Sequence, residues 1–306
     1  MAGIDVPGGR PNVTATTRRK AMETPVRPAA VAGMFYPGTA PVLAAAVRGY
    51  LAEGSKPSPA DVRLPKALIV PHAGYVYSGS VAGCAYRRIA PGRTTLRRIV
   101  LLGPVHRVPI RGLALPAVRA FATPLGTLAL DAEAVETIRE LPQVGVSEAA
   151  HALEHSLEVQ LPFLQAVLDD CAIVPLAVGD ASAEEVAEVV EKLWGGPETL
   201  VVVSSDLSHY HPYAAARTLD RATAAAILSL ESSLDHEQAC GATPINGFAL
   251  CARRRGLQAE LLDLRNSGDT AGDKSRVVGY SAFAFTERSS ESHRQRAETA
   301  TEPADA

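Results

Sequence analysis

The 306-residue chain holds four cysteines, and no two of them form a C-x-x-C pair. That argues against a disulfide-stapled scaffold. Cys84, Cys171, Cys240 and Cys251 are expected as free thiols in a reducing cytoplasm. No apolar run approaches the roughly 18 residues that a membrane span needs. The N-terminal stretch MAGIDVPGGRPNVTATTRRK lacks the apolar core of a signal peptide. No basic run interrupts the body, and 30 Lys and Arg against 33 Asp and Glu leave a net charge of −3. The electrostatic footprint of a nucleic-acid binder is therefore missing. Linkers, repeats and low-complexity blocks are missing as well between the two polar ends.

What is present is ordinary for a globular protein: 47% hydrophobic and 21% charged residues. The length allows a sizeable core without staples. Residues 1–24 are rich in Thr, Arg and Gly, and residues 287–306 hold almost no large apolar side chain. Both ends are expected to be disordered tails around one domain at residues 25–286. Short continuous apolar runs predict strands at 67–70, 98–102, 172–178, 200–203, 261–264 and 278–285. Helices are predicted over 41–51, 80–89, 132–141, 151–168, 183–194, 212–230 and 245–254. The segments 113–115 and 128–130, around Thr123-Pro124-Leu125-Gly126, suggest a hairpin excursion. Buried strands alternating with helices indicate a three-layer α/β/α domain with a mostly parallel, mixed central sheet.

Three of the best strands run straight into a histidine. ALIV leads to Pro71-His72, RIVLL to Gly103-Pro104-Val105-His106, and LVVV to Ser204-Ser205-Asp206-Leu207-Ser208-His209. Ligands of open α/β sheets bind outside the carboxyl ends of the strands. Three imidazoles delivered there suit zinc, iron or copper. A histidine after a strand is also commonly a plain loop residue, so the argument lies in the repetition of the pattern. Asp206 is placed either to ligate, to orient a ligand histidine, or to cap the next helix.

The segment HALEHSLEVQLP supplies a second constellation. On a continuous helix His151 and His155 share a face, as do Glu154 and Glu158. Leu153, Leu157 and Leu161 would then form the core stripe. His151-Ala152-Leu153-Glu154-His155 also fits the H-x-x-E-H zinc-protease pattern. Cys240 precedes a helix in a Gly/Pro-containing loop, where a depressed thiol pKa would make it a nucleophile or a ligand. The other three thiols read as inert packing residues.

The ordered set of motifs resembles the Memo family, including the bacterial and archaeal members called AmmeMemoRadiSam system protein B. The matching segments are Arg27-Pro28 with Ala32-Gly33-Met34-Phe35-Tyr36-Pro37, PHAGY at 71–75 with Ser78-Gly79, and LLGPVH at 101–106. They continue with Thr123-Pro124-Leu125-Gly126, EHSLEVQLPFL at 154–164 and Ile173-Val174-Pro175-Leu176. The last are SSDLSHY at 204–210, CGATPI at 240–245 and SGDTAGDKSRVVGY at 267–280. The resemblance implies a fold related to class III extradiol dioxygenases, with the metal-site positions falling on His72, His106 and Cys240. It places His209 and Asp206 in the same pocket, and His155 and Glu158 around it. Cys240 stands near the place of a carboxylate in the dioxygenases, a departure from ring-cleaving enzymes. Tyr210 replaces the family's Trp, a departure from its peptide-binding members. His151 lies outside the shared segment, which demotes the protease pattern.

The resemblance thus implies a redox or oxygen-dependent activity on a small substrate, with iron(II) or copper expected ahead of zinc. His209 or Asp206 would handle protons, and a radical SAM protein is a candidate partner. The alternatives are a non-catalytic pocket for a peptide or another ligand, and a hydrolase using either zinc or a nucleophilic set of Cys240, His209 and Asp206.

Overall fold

The computed structural model describes residues 25–53 and 63–287, so the two expected tails, 1–24 and 288–306, lie outside the described residues. In chain order the elements begin with β1 (Val26–Arg27), α1 (Ala40–Glu53), β2 (Ala67–Val70), α2 (Tyr75–Arg88) and β3 (Arg98–Pro104). Then come β4 (Leu113–Leu115), β5 (Ala120–Thr123), β6 (Gly126–Ala129), α3 (Ala132–Ile138), β7 (Val144–Val146), α4 (Glu148–Ala152) and α5 (Leu161–Val167). The chain continues through β8 (Ala172–Val178), α6 (Ala183–Lys192), β9 (Thr199–Ser204), β10 (His209–His211) and α7 (Tyr213–Leu228). It closes with α8 (Ala242–Arg254), β11 (Gln258–Asn266), α9 (Ser267–Thr270) and β12 (Val277–Thr286).

Nine strands form one mixed sheet in the order β10-β12-β2-β9-β3-β8-β4-β7, with β11 pairing β12. The four central strands, β2, β9, β3 and β8, are all parallel. Antiparallel pairs with β12 and β4 flank them. Period-2 geometry sorts their side chains onto two faces. Ile69, Val100, Leu102, Val174, Leu176, Val201 and Val203 join one core with residues of α3, α6, α7 and α8. Leu68, Val70, Ile99, Leu101, Ile173, Leu200 and Val202 join a second core with α1, α2 and α5. Two cores on one sheet make the predicted α/β/α layers, and they explain why the central strands are apolar throughout rather than alternating.

Two predicted elements differ. Segment 113–115 is not half of a hairpin: β4 enters the main sheet between β8 and β7. The hairpin is β5–β6, closed by Pro124-Leu125, and it forms a small sheet with β1. The single helix expected over 151–168 is broken. Helix α4 ends at Ala152, a 3-10 turn covers Glu158–Gln160, and α5 starts only at Leu161. The cause is local. The Glu154 carboxylate turns back to accept the N–H groups of His155 (2.9 Å) and Ser156 (2.9 Å), diverting them from the helical ladder. Leu153, expected in the core, is 58% exposed, whereas Leu157 and Leu161 are buried.

Among the described residues, no helix is long and apolar enough to cross a membrane.

Candidate metal centre

Strands β2, β9 and β3 lie side by side and parallel, so their carboxyl ends deliver their loops to one edge. His72 follows β2, Asp206 follows β9, and His106 follows β3. The irregular segment after α4 brings His155 to the same place. It passes close over the end of β3 because Gly103 has no side chain: a Cβ there would lie 2.8 Å from Ser156 Oγ.

Among the described residues, His72, His106 and His155 form one group whose ligand atoms all lie within 4.8 Å of one another. Their ring centroids are 5.1 Å (His72–His106), 5.4 Å (His72–His155) and 4.6 Å (His106–His155) apart. Each ring is held from behind. His72 Nδ1 sits 2.9 Å from Ser204 Oγ, and its backbone N–H donates to Asp206 Oδ1 at 2.7 Å. His106 Nδ1 sits 2.8 Å from Glu154 Oε1, and its backbone N–H donates to Oε2 at 2.6 Å. His155 Nδ1 lies 3.3 Å from the same Glu154 Oε1, with the Phe35 ring packed 4.6 Å from its own.

The electrostatics suit neutral imidazoles. Burial, reinforced by His106, pushes His72 down to about 3. Burial, reinforced by His72, pushes His155 down to about 4. Burial works against ionisation of Glu154, but the His106 side chain and several N–H donors outweigh it and hold the carboxyl at about 2. An ionised carboxylate only accepts, so the His106 Nδ1–H donates to Glu154. A ligand histidine whose other nitrogen donates to a carboxylate is the usual support of a metal site. Glu154 stands in that position behind His106, whereas the sequence reading gave it only the general-base place of the demoted zinc-protease pattern. The available signal was its place at the head of the EHSLEVQLPFL segment.

Cys240 borders this group. Its Sγ lies 3.3 Å from His72 Nε2, while the three-histidine group forms without it. The expected depression of its thiol pKa is reversed: burial, followed by the Asp206 charge, pushes it up to about 12. Its position just before Gly241, the N-cap of α8, does not offset that desolvation. Asp206 is itself raised by burial, and its Oδ2 stands 4.0 Å from His72 Nε2.

An open cleft of about 670 Å³ leads to the group, lined by His106, His209, Tyr210, His236, Cys240 and Thr243 among others. His209 lines the cleft and donates Nδ1–H to Leu207 O at 2.8 Å, which leaves Nε2 as its uncommitted ring nitrogen. Tyr210 follows with φ +63° at a register shift of β10 against β12, and its ring stacks under Arg276 at 5.1 Å. A bulky residue in that region is a strained position of the kind found beside functional sites.

Two residues of the HALEHSLEVQLP stretch lie elsewhere. Glu158 is fully buried and accepts from Arg27 (2.6 Å), Tyr36 (2.6 Å), Ala30 N–H (2.8 Å) and Val31 N–H (3.0 Å), none of them a histidine. His151 packs edge-on to Phe121 and donates Nε2–H to Ala114 O at 2.8 Å, outside the histidine group.

The family model described as "Memo-like protein" matches residues 27–284. The chain belongs to the Memo family. It is 37% identical over 270 residues to a MEMO1 family protein of Archaeoglobus fulgidus, covering 83% of this chain and 97% of that one. A MEMO1 family protein of Aquifex aeolicus is 35% identical over 275 residues, covering 85% and 99%. A solved structure of an uncharacterized Escherichia coli K12 protein is similar at a TM-score of 0.48 and 16% identity, covering 72% of this chain and all of that one. Within the Memo-like span, the first site histidine follows β2, the second follows β3, and the third arrives on the broken helix.

Proposed function

We propose that this Memo-family pocket holds a redox-active transition metal, iron(II) or copper, and acts on a small molecule admitted by the cleft. The carrying observation is the convergence of three imidazoles: His72 and His155 are kept neutral by burial, and His72 and His106 are hydrogen-bonded through Nδ1 to Ser204 and Glu154. The donor set fits: neutral imidazole suits iron and copper, and the carboxylate behind His106 raises its basicity. His72, His106 and His155 would hold the ion, with Cys240 bordering it. When bound, such an ion supplies one-electron redox chemistry.

The chain's own residues do the rest. Phe35 packs its ring against that of His155 and shields one side of it. His209 Nε2 takes a proton from a substrate group in the cleft, its other nitrogen being committed to Leu207 O. Asp206 holds the His72 backbone in place through its N–H.

Metal quantification on protein purified with and without oxygen tests this reading. The wild type should retain iron or copper near one ion per chain, and a His72→Ala/His106→Ala variant should retain none. A wild type that takes up neither metal under any loading would sink the proposal.

A further inference from the structure

We propose that Ser204, oriented by Gln160, fixes His72 as the Nδ1–H tautomer and so aims the bare Nε2 lone pair into the histidine pocket. Both are positioning residues: Ser204 touches the outer nitrogen of His72, and Gln160 acts through Ser204. The consequence for metal binding rests on the metal-centre reading; the tautomer itself does not.

The argument closes because two backbone carbonyls anchor it, and a carbonyl never donates. The Gln160 side chain lies 2.9 Å from Pro71 O, so the atom facing that oxygen is the amide nitrogen. The amide orientation is thereby settled, and Gln160 Oε1 accepts from Tyr86 OH at 3.0 Å, as it then must. The second amide proton of Gln160 points at Ser204 Oγ, 2.8 Å away, and occupies one of its lone pairs. Ser204 Oγ also lies 2.6 Å from Ser156 O, and that carbonyl takes the single hydroxyl proton. Ser204 then has one lone pair left and nothing to donate. His72 Nδ1, 2.9 Å away, must supply the proton between them. A neutral ring carries one proton, so Nε2 has none. The neighbouring Cys240 Sγ, 3.3 Å from Nε2, is then the donor of that contact in the metal-free protein.

The opposite tautomer would place two lone pairs face to face at 2.9 Å in a fully buried setting. Leaving such a contact unmade disfavours it by roughly tenfold or more. Every member of the relay is buried: Tyr86 and Ser204 at 0% exposure, Gln160 at 1% and His72 at 2%. Water therefore has no route to substitute for a missing partner. The relay runs from Tyr86 on α2, through the 3-10 turn, to the end of β9, so it couples three elements to one ring orientation.

The test is long-range proton–nitrogen NMR of histidine-labelled, metal-free protein at neutral pH. The wild type should show His72 protonated on Nδ1; protonation on Nε2 overturns the proposal outright. Ser204→Ala should shift His72 toward the Nε2–H form and weaken anaerobic iron(II) binding by roughly 10–100-fold. Ser204→Thr, which returns the hydroxyl, should restore the Nδ1–H form. Gln160→Met should move the tautomer ratio in the same direction as Ser204→Ala, by less. An unchanged ratio in both Ser204→Ala and Gln160→Met would remove the two residues from the role. A variant that fails to fold leaves the wild-type spectrum to decide. If the protein binds no iron(II), the metal reading falls and the NMR result still judges the tautomer. If it binds iron(II) with His72 on Nε2–H, the tautomer assignment falls alone.

Discussion

Glu154 and Glu158 sit four residues apart, and both are buried carboxylates with several hydrogen-bond donors around them. Glu154 accepts from the ring and backbone of His106 and from two further N–H groups of its own loop. Glu158 accepts from Arg27, Tyr36 and two N–H groups of the segment after β1. The difference lies in the partner. A carboxylate satisfied by a guanidinium is closed: its charge is neutralised and its oxygens are spent on tethering chain to chain. A carboxylate facing an imidazole hands its effect onward, because it decides which ring nitrogen is free. Burial alone does not separate the two roles; the chemistry of the donors does.

The most disruptive way to break this comparison is Glu158→Ala. It leaves Arg27, 4% exposed, as an uncompensated buried cation. The expected loss is about 3–5 kcal/mol, lowering Tm by roughly 10 °C. Metal bound per folded chain should stay unchanged, as thermal unfolding and metal analysis on the same sample will show. A variant that keeps its Tm and loses its metal would merge the two carboxylates into one role.

Glu154→Gln should do the reverse. Its amide presents donors to N–H groups that need an acceptor, which costs about 1–3 kcal/mol in stability. The larger effect should fall on metal affinity, roughly 10–100-fold weaker by competition against a chelator, because His106 loses its carboxylate partner. Equal affinity in wild type and variant would refute the assignment of Glu154.

The histidines of the same segment sharpen the contrast through pH. Burial pushes His151 from 6.5 down to about 4, and His155 from 6.5 down to about 4. A histidine depressed in the folded state binds its proton more readily when unfolded, so stability is full above pH 6.5 and falls as pH drops toward 4. In metal-free protein, His151→Gln and His155→Gln should each flatten that acid loss by up to one proton, about 1.4 kcal/mol per pH unit. His155→Gln should also reduce metal uptake, and His151→Gln should not. Urea unfolding across the acid range, with metal content measured alongside, separates them.

Much of the fold was legible because its central strands are buried on both faces. The runs at Ala67–Val70 and Ala172–Val178 match the observed strands residue for residue. The parallel order followed from the alternation with helices, and from it the meeting of His72 and His106 at one edge. Three-residue strands such as β7 and β10 carry too little periodicity to be seen. The thiol of Cys240 was misjudged because a helix terminus is a weak field beside desolvation and a neighbouring carboxylate. Gln160 and Ser204 stood in recognisable segments, yet their effect depends on contacts between residues 44 positions apart, which spacing along the chain does not reveal.

The broken helix shows where periodicity misleads. Leucines at 153, 157 and 161 describe a helical stripe, and two of the three are core residues. The third is not, because Glu154 captures the N–H groups that a continuing helix would need. That capture releases His155 from the helix face and turns it to His106. The exposed Leu153 is the by-product, and the smallest effect expected here belongs to it. Leu153→Ser should change stability by no more than about 0.5 kcal/mol, as for an ordinary surface position. Leu157→Ala, at 1% exposure, should cost about 2–5 kcal/mol. Chemical denaturation of the two variants measures the difference directly. A loss at Leu153 comparable to that at Leu157 would mean that the helix continues in solution, and then His155 could not stand beside His106 with Glu154 between their outer nitrogens.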